Sequence, residues 1–521
     1  MFRNTFCLFV LFTVVVLNAA VPVATCNAED QIRDSVVKIH VTSRSPDFLR
    51  PWTKLNPRKS SGSGAIISGN RILTNNHVVR YAKQIFVQFN QSTDRHPARV
   101  IAKAPGMDLA VLEMEDVSLI EGRPALELQE GIPEMKSTVN VYGFPIGGDD
   151  LAITEGIVSR IEYGKLSGSG AGLRIQVDAA LNPGNSGGPA LIGNSITGLV
   201  YSGIREADNI GYLINAKEIQ RFLDDIQDGQ YDGKPNIYDA LQTLENESLR
   251  SRLGLSAEQT GIMVKSPYLD NDEYPLKSWD VICKVGDYAV DNKGQVKVRD
   301  DLRLMFHYFI PELVSDGKVP VTVYRDGKEV QLQVPVAPNR ELVFRELKGA
   351  YPRHFIFGPA VFTVASRDLI QGLGTKGLAL MSQMNSMIIA RNQSKPDFPG
   401  EEIVLLRLLP HRITKGYDSI PFGVVTHVND QKVENLKDIV IKIRDCKDEF
   451  LILTMDGNYE TLVFNRADMA ESTEEIPGDE GIRYQYSKEF EPIWEGKEDA
   501  AAAAVEVAPM ERQEDAAAGS S

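Results

Sequence analysis

Between Leu181 and Pro189 the chain sets one serine among three glycines and two prolines, in the order Leu181-Asn182-Pro183-Gly184-Asn185-Ser186-Gly187-Gly188-Pro189. No helix and no inner strand tolerates that density of glycine and proline, so the stretch reads as a tight loop that presents Ser186. Glycines let successive amides turn toward one point, and the amides of Gly184, Asn185 and Ser186 are candidates for holding a developing oxyanion. Gly187 and Gly188 are expected to leave room for a substrate chain beside the serine. A serine hydroxyl is a weak nucleophile and needs a base, and the base needs an orienting group. Leu73-Thr74-Asn75-Asn76-His77-Val78-Val79 offers His77, and Met107-Asp108-Leu109-Ala110-Val111-Leu112 offers Asp108. Each has an ordinary reading too: a loop serine, a surface or core histidine, a capping or turn aspartate. The combination favours acyl-transfer chemistry. Before residue 225 the other histidines are His40, in an alternating strand pattern, and His96, among polar residues.

The order of the three groups constrains the fold. Gly184-Asn185-Ser186-Gly187-Gly188 also fits the Gly-x-Ser-x-Gly elbow of α/β-hydrolases, but those chains run serine, acid, histidine, with a helix after the serine. Here histidine and aspartate come first, and Ile196-Thr197-Gly198-Leu199-Val200-Tyr201 beyond Pro189 reads as strand. That is the chymotrypsin-like order. From Gln31 to Leu223 short alternating apolar segments recur between Gly, Asn and Pro, with strand candidates at 85–89, 98–102, 138–142 and 173–177. The spacing predicts two antiparallel barrels, His77 and Asp108 from the first and Ser186 from the second, with the site in the cleft between them. Apolar residues at Ile219, Phe222, Leu223 and Ile226 predict a closing helix.

A length of 521 residues suggests three or four domains. The net charge of −15 argues against nucleic acid as a partner. Most of it sits in residues 467–521, where 15 acidic and 4 basic side chains and runs of alanine predict disorder. Arg3 followed by the apolar run Cys7 to Leu17 reads as an export signal, with cleavage expected after Ala28. Val23-Ala24-Thr25-Cys26 is a poor lipoprotein box, and an uncleaved membrane anchor is a lesser alternative. The expected location is periplasmic or extracellular. Cys283 and Cys446 fall in different modules, which reads as two apolar core residues rather than a disulfide. No metal-ligand spacing and no phosphate-binding loop is found, so no cofactor and no metal are expected.

Thr74-Asn75-Asn76-His77-Val78-Val79, Asp108-Leu109-Ala110-Val111-Leu112 and Asp178-Ala179-Ala180-Leu181-Asn182-Pro183-Gly184-Asn185-Ser186-Gly187-Gly188-Pro189 resemble the three signatures of Deg/HtrA serine proteases. Gly62-Ser63-Gly64-Ala65-Ile66-Ile67 and Tyr142-Gly143-Phe144-Pro145-Ile146-Gly147 match as well. The resemblance covers roughly residues 31 to 225, and the two unequal modules beyond look most like the plant-type Deg branch and its bacterial relatives. It implies a mainly β fold, a chymotrypsin-like double β-barrel followed by two PDZ-like α+β modules. It also implies an ATP-independent serine endopeptidase acting on unfolded or damaged proteins, and a homo-oligomer built on trimers. Phe48 and Trp52 are candidates for the trimer contact, with packing on their own barrel as the alternative.

The expected domains are a signal peptide at 1–28, the protease domain at 29–226, a linker at 227–236, a PDZ-like module at 237–340, a divergent PDZ-like module at 341–466 and the acidic tail at 467–521. PDZ modules hold a C-terminal carboxylate on backbone amides and add the peptide to a sheet edge. By register the loop of the first module is Ile237-Tyr238-Asp239-Ala240-Leu241, although Asp239 would repel a carboxylate. Arg252-Leu253-Gly254-Leu255 looks more like such a loop but lies close to the next strand. In the second module Phe357-Gly358-Pro359-Ala360-Val361-Phe362 fits better. Alternatively, one or both modules serve assembly.

Tyr201, Ser202 and Gly203 are expected to pair with substrate backbone, and Leu181, Ile210 and Tyr212 to wall the S1 pocket. No acidic residue is placed to select Arg or Lys, which predicts small or medium aliphatic P1 residues. His77 is the expected base, Asp108 its orienting group and Ser186 the nucleophile. The loops at 142–154, 162–172 and 201–209 are where ordering could gate activity. The rival reading is a chaperone or peptide-binding scaffold with secondary proteolysis, which has no need of all three catalytic groups.

Overall fold

The alternating apolar segments close into two antiparallel barrels of six strands each. The structure is a computed structural model that describes residues 28–168, 170–201, 211–417 and 422–497. In the first barrel β1 (Val36–Ser43), β2 (Arg58–Ile67), β3 (Arg71–Thr74), β4 (Ala82–Phe89), β5 (His96–Ala104) and β6 (Leu109–Met114) join in the order β1-β2-β3-β6-β5-β4. The second contains β7 (Thr138–Gly143), β8 (Ala152–Lys165), β9 (Ala171–Val177), β10 (Pro189–Ile192), β11 (Ser195–Tyr201) and β12 (Gly211–Asn215), in the order β10-β11-β12-β9-β8-β7. All four strand candidates fall within these elements. Ile39, Ile66, Ile72, Val87 and Leu112 fill the first barrel, and Val139, Val158, Leu173, Ile175 and Val177 the second.

Three helices flank the barrels: α1 (Ala28–Asp34), α2 (Asn76–Val79) and α3 (Ala216–Asp225). The closing helix α3 carries Ile219, Phe222 and Leu223 as expected and starts at Ala216, where the Asn215 side chain caps the Lys217 amide at 2.9 Å. Its Ile219 and Phe222 are fully buried, and so is the charged Glu218. The Glu218 carboxylate accepts from Leu173 N at 2.9 Å, Arg221 at 3.2 Å and Lys234 at 3.1 Å. Burial works against its charge, but the two cations and the amide outweigh it and hold the carboxyl below its usual range. Lys234 belongs to the stretch read as a linker, and Tyr231 in the same stretch packs on Phe222. The linker is therefore fastened to the protease domain by a buried ion pair and an aromatic edge.

Beyond it lies a sheet of Ala240–Gln242, Ile262–Ser266, Val281–Val285, Lys318–Arg325 and Lys328–Pro335, in that order, with Tyr288–Ala289 paired to Val281–Val285. The Asp326-Gly327 turn has φ of 50° and 75°, the left-handed pair expected of an Asp-Gly hairpin. The second module contains His354–Phe357, Ala360–Val364, Val404–Leu408, Gly423–Val428, Phe450–Met455 and Leu462–Asn465, with a helix at Leu436–Asp445. Cys283 and Cys446 are free, the first buried and the second partly so. Among the described residues no helix is long and apolar enough to cross a membrane.

Several expectations are corrected. The acidic segment is ordered as far as Lys497: helix Arg466–Glu480 and the turn Glu491–Trp494 bury Met469, Ile476, Phe490 and Ile493. These apolar residues outweigh the charged composition around them; residues 498–521 lie outside the described residues. Arg252-Leu253-Gly254-Leu255 is a helix stop. Gly254 takes φ of 67°, Leu255 N donates to Arg250 O at 3.1 Å, and Leu253 and Leu255 pack on Leu244 and Met263. Phe357-Gly358-Pro359-Ala360-Val361-Phe362 is a tight hairpin whose Gly358 amide already donates to Thr473 Oγ1 at 2.7 Å, so helix Arg466–Glu480 occupies the donor. Phe48 and Trp52, both partly buried, pack against the second module of their own chain. In the first module Asp239 is not a free repelling charge, since it accepts from Tyr268 N and Tyr274 Oη at 2.9 Å each.

The first module meets the second barrel through His307, whose ring stacks on Tyr163 at 6.4 Å and on Phe306 at 4.1 Å. Enclosure and the nearby Lys234 cation push the imidazole from 6.5 down to about 4. The unfolded chain then takes up the proton first, so this contact loses stability as pH falls from about 6.5 toward about 4. Replacing His307 by Gln is expected to flatten that part of a melting-temperature profile; an unchanged acid branch contradicts the assignment.

Candidate active site

Asp108 and His77 are locked together before any substrate arrives. Asp108 sits at the end of a turn, with Met107 N on Ala104 O at 3.0 Å, and has a left-handed φ of 56°. Aspartate is among the few side chains that adopt this region readily. The turn aims the Asp108 carbonyl at the next segment, where it accepts from Asn76 N at 3.1 Å and Asn75 Nδ2 at 3.0 Å. Its carboxylate takes both donors of one residue: Oδ1 accepts from His77 N at 2.8 Å and Oδ2 faces His77 Nδ1 at 2.6 Å. The network assigns the proton to Nδ1 and leaves Nε2 as the acceptor. Asp108 is 3% exposed, whereas the His77 side chain is 42% exposed and open to the cleft.

Ser186 comes from the second barrel, on the turn that leads into β10. No hydrogen bond joins its Oγ to His77 among the described residues, a looseness that unliganded sites often show. The loop around it is tightly specified. The Asn185 amide donates to Asn182 O at 3.0 Å, so it is spent within the loop rather than aimed at substrate. Pro183 O accepts from Ile146 N at 2.8 Å. Carbonyl and amide of one trans peptide point in opposite directions, so the Gly184 N–H faces away from Ile146. Neither it nor the Ser186 N–H meets a protein acceptor among the described residues, and both remain available.

Gly184 has φ of 104° and Gly187 of 84°. A Cβ on Gly187 would lie 2.2 Å from Ser63 O and 2.3 Å from Thr74 Oγ1. One on Gly188 would lie 2.2 Å from Tyr142 O. The room these two glycines keep is thus taken by the protein's own backbone and not by a substrate chain.

Of the predicted specificity residues, Tyr201 pairs with Tyr212 across β11 and β12. Ser202, Gly203 and Ile210 lie outside the described residues. Leu181 closes over Gly211, where a Cβ would be 2.3 Å from Leu181 Cδ1. Tyr212 is buried beneath the Arg174 guanidinium, 4.5 Å from the ring centroid, and its hydroxyl lies 3.4 Å from Arg160. Both guanidinium groups are paired with the Glu162 carboxylate. The segment Phe144 to Asp149 is described throughout. Lys38 of β1, 7% exposed, donates to Gly148 O at 2.7 Å and to Asp149 at 2.6 Å. Sequence reading passed over Lys38; a lysine inside the apolar alternation of β1 was the available signal. Among the described residues no group of three or more His, Cys, Asp or Glu is placed to hold a metal.

Comparison with known proteins agrees with this geometry. The profile of the trypsin-like peptidase domain matches residues 62–195, and that of a PDZ domain matches residues 343–489. A relative from Arabidopsis thaliana, Protease Do-like 4, mitochondrial, is 35% identical over 456 residues, covering 86% of this chain and 84% of its own length. The chain belongs to the Deg/HtrA family of serine proteases. Protease Do-like 2, chloroplastic, from the same plant, is 32% identical over 444 residues and covers 83% of this chain and 72% of its own length. The solved HtrA-type protease AlgW with decapeptide is 25% identical with a TM-score of 0.45, over 60% of this chain and 98% of its own. Like other Deg/HtrA proteins, this chain is a serine endopeptidase with a double β-barrel protease domain.

In this Deg/HtrA protease Asp108→Asn puts a donor where one of two acceptors meets an N–H, which turns the imidazole to the wrong tautomer. Turnover of an amide substrate is expected to fall by about ten-thousandfold. A fall of less than about tenfold would contradict the role of Asp108 in setting that tautomer.

Proposed function

We propose that His77, Asp108 and Ser186 form the catalytic triad of an ATP-independent endopeptidase for unfolded or damaged proteins. The observation that carries this reading is the double grip of Asp108 on His77 beside two unspent amides at Ser186. Ser186 Oγ attacks the scissile carbonyl while His77 Nε2 takes its proton. The N–H groups of Gly184 and Ser186 hold the oxyanion, and Asn185 shapes their loop. His77 then hands the proton to the leaving amine, and water deacylates Ser186 by the reverse sequence. Leu181, Tyr212 and Ile210 wall an apolar S1 pocket, and Tyr201, Ser202 and Gly203 pair with the substrate backbone. The first module offers its edge strand Ala240–Gln242 for an added peptide strand.

We also read residues 1–28 as an export leader, supported by Arg3 and the apolar run after it. The mitochondrial and chloroplastic relatives make an organelle address the second reading. N-terminal sequencing of the mature protein together with its compartment separates the two. A homo-oligomer built on trimers is in keeping with the family, with Phe48 and Trp52, both partly buried, as candidates for its contacts.

Digestion of a reduced, unfolded protein by the mature chain, beside Ser186→Ala, tests the central reading. Cleavage by the parent and none by the variant is expected, with aliphatic residues dominating P1. Cleavage by Ser186→Ala would remove Ser186 as nucleophile. A P1 profile dominated by Arg or Lys would remove the S1 assignment.

A further inference from the structure

The motif Gly62-Ser63-Gly64 has no part in the triad, yet Ser63 bonds to the Ser186 loop, to the strand before His77 and to the segment that begins at Phe144. It lies in β2 of the first barrel and is fully buried. Its N–H donates to Ser186 O at 2.8 Å, and its carbonyl accepts from Thr74 Oγ1 at 2.8 Å, on the strand that leads to His77. Its hydroxyl does two further things. Oγ donates to Gly184 O at 2.8 Å and accepts from Phe144 N at 2.8 Å.

The second pair of bonds bears on the oxyanion hole. Gly184 stands between two peptide planes. The plane before it carries Pro183 O and the Gly184 N–H, and Ile146 N fixes that carbonyl. The plane after it carries Gly184 O and the Asn185 N–H, and these are fixed by Ser63 Oγ and Asn182 O. With φ of 104°, Gly184 has no side chain to oppose rotation of either plane. Hydrogen bonds therefore set the direction of its N–H. Phe144 and Ile146, which anchor the two planes directly or through Ser63, are two residues apart in one segment. Ser63 Oγ is thus the bolt between that segment and the oxyanion loop. Its replacement by Ala leaves the Phe144 N–H and the Gly184 carbonyl without a partner in a buried place, and a reoriented Gly184–Asn185 peptide is one way to relieve this.

We propose that Ser63 is a positioning residue for the known reaction: its hydroxyl ties the Gly184–Asn185 peptide to the segment Phe144 to Ile146, whose Ile146 N–H holds the Pro183 carbonyl, so that the Gly184 N–H points at the developing oxyanion. The proposal rests on Ser186 as nucleophile and Gly184 as oxyanion donor. It concerns the transition state, where the oxygen becomes charged, and not the docking of the peptide.

The test uses the full mature chain carrying Ser63→Ala, with active sites counted from the burst of a chromogenic ester. Per active site, kcat is expected to fall by about ten- to hundredfold with KM within about twofold of the parent. Affinity for a peptide boronic acid, whose tetrahedral adduct fills the oxyanion hole, is expected to fall by a comparable factor. Binding of the uncleaved peptide, measured with Ser186→Ala present in both proteins, is expected to stay as in the parent. A merely structural role would lower the melting temperature and the number of active sites and leave per-site turnover and boronate affinity unchanged; that result overturns the proposal. Ser63→Thr keeps the hydroxyl and is expected to recover most of both quantities. A folded, titratable Ser63→Thr as slow as Ser63→Ala overturns it equally, and serves alone where the alanine variant does not fold. An ester burst that survives Ser186→Ala would instead overturn the reading of Ser186 itself.

Discussion

One backbone hydrogen bond, from Ser63 N–H to the Ser186 carbonyl at 2.8 Å, joins the first barrel to the second at the loop that presents Ser186. A site shared by two barrels has to fix their relative position more tightly than packing alone provides, because a displacement of about 1 Å can cost about a hundredfold in rate. Here the seam is made of directional bonds. Thr74 Oγ1 and the Ser63 carbonyl continue it toward His77, and Lys38 ties the segment Phe144 to Asp149 to β1. Gly187 and Gly188 are glycines because the seam leaves no space for a Cβ. The density of glycine that marks the sequence thus serves close approach of protein backbone as much as it serves the oxyanion.

The second constraint is the conformation of Asp108. Its left-handed backbone carries a modest conformational cost, met by four acceptor contacts with the segment Asn75 to His77. This arrangement forms the base and its orienting group as one unit within the first barrel. The second barrel contributes the loop that presents Ser186. Activity then depends on how the two units meet, which is the part of the structure the Ser63 seam controls.

The barrels and the pairing of Asp108 with His77 were legible in sequence for a simple reason. Histidine, aspartate and serine each sit in a short local motif, and alternation over four or five residues is enough to identify a strand. The seam was not legible, because Ser63 and Gly184 are 121 residues apart and nothing local couples them. The C-terminal half misled for a related reason. Composition averaged over residues 467–521 hides Met469, Ile476 and Phe490, whose burial decides the matter. For Phe48 and Trp52 the sequence suggests a trimer contact or packing on their own barrel, and only the fold reveals that the second module packs against both. Gly358 looked like a peptide-binding turn because the sequence around it cannot show that Thr473 holds its amide.

The central claim is that Ser186 is a nucleophile activated from the first barrel by the His77–Asp108 pair. Mass-spectrometric mapping of the adduct left by a fluorophosphonate on the native protein tests it most directly. The account predicts a single adduct on Ser186, formed rapidly by the parent and lost in His77→Ala. An adduct on another residue, or one on Ser186 that forms as fast without His77, would contradict it.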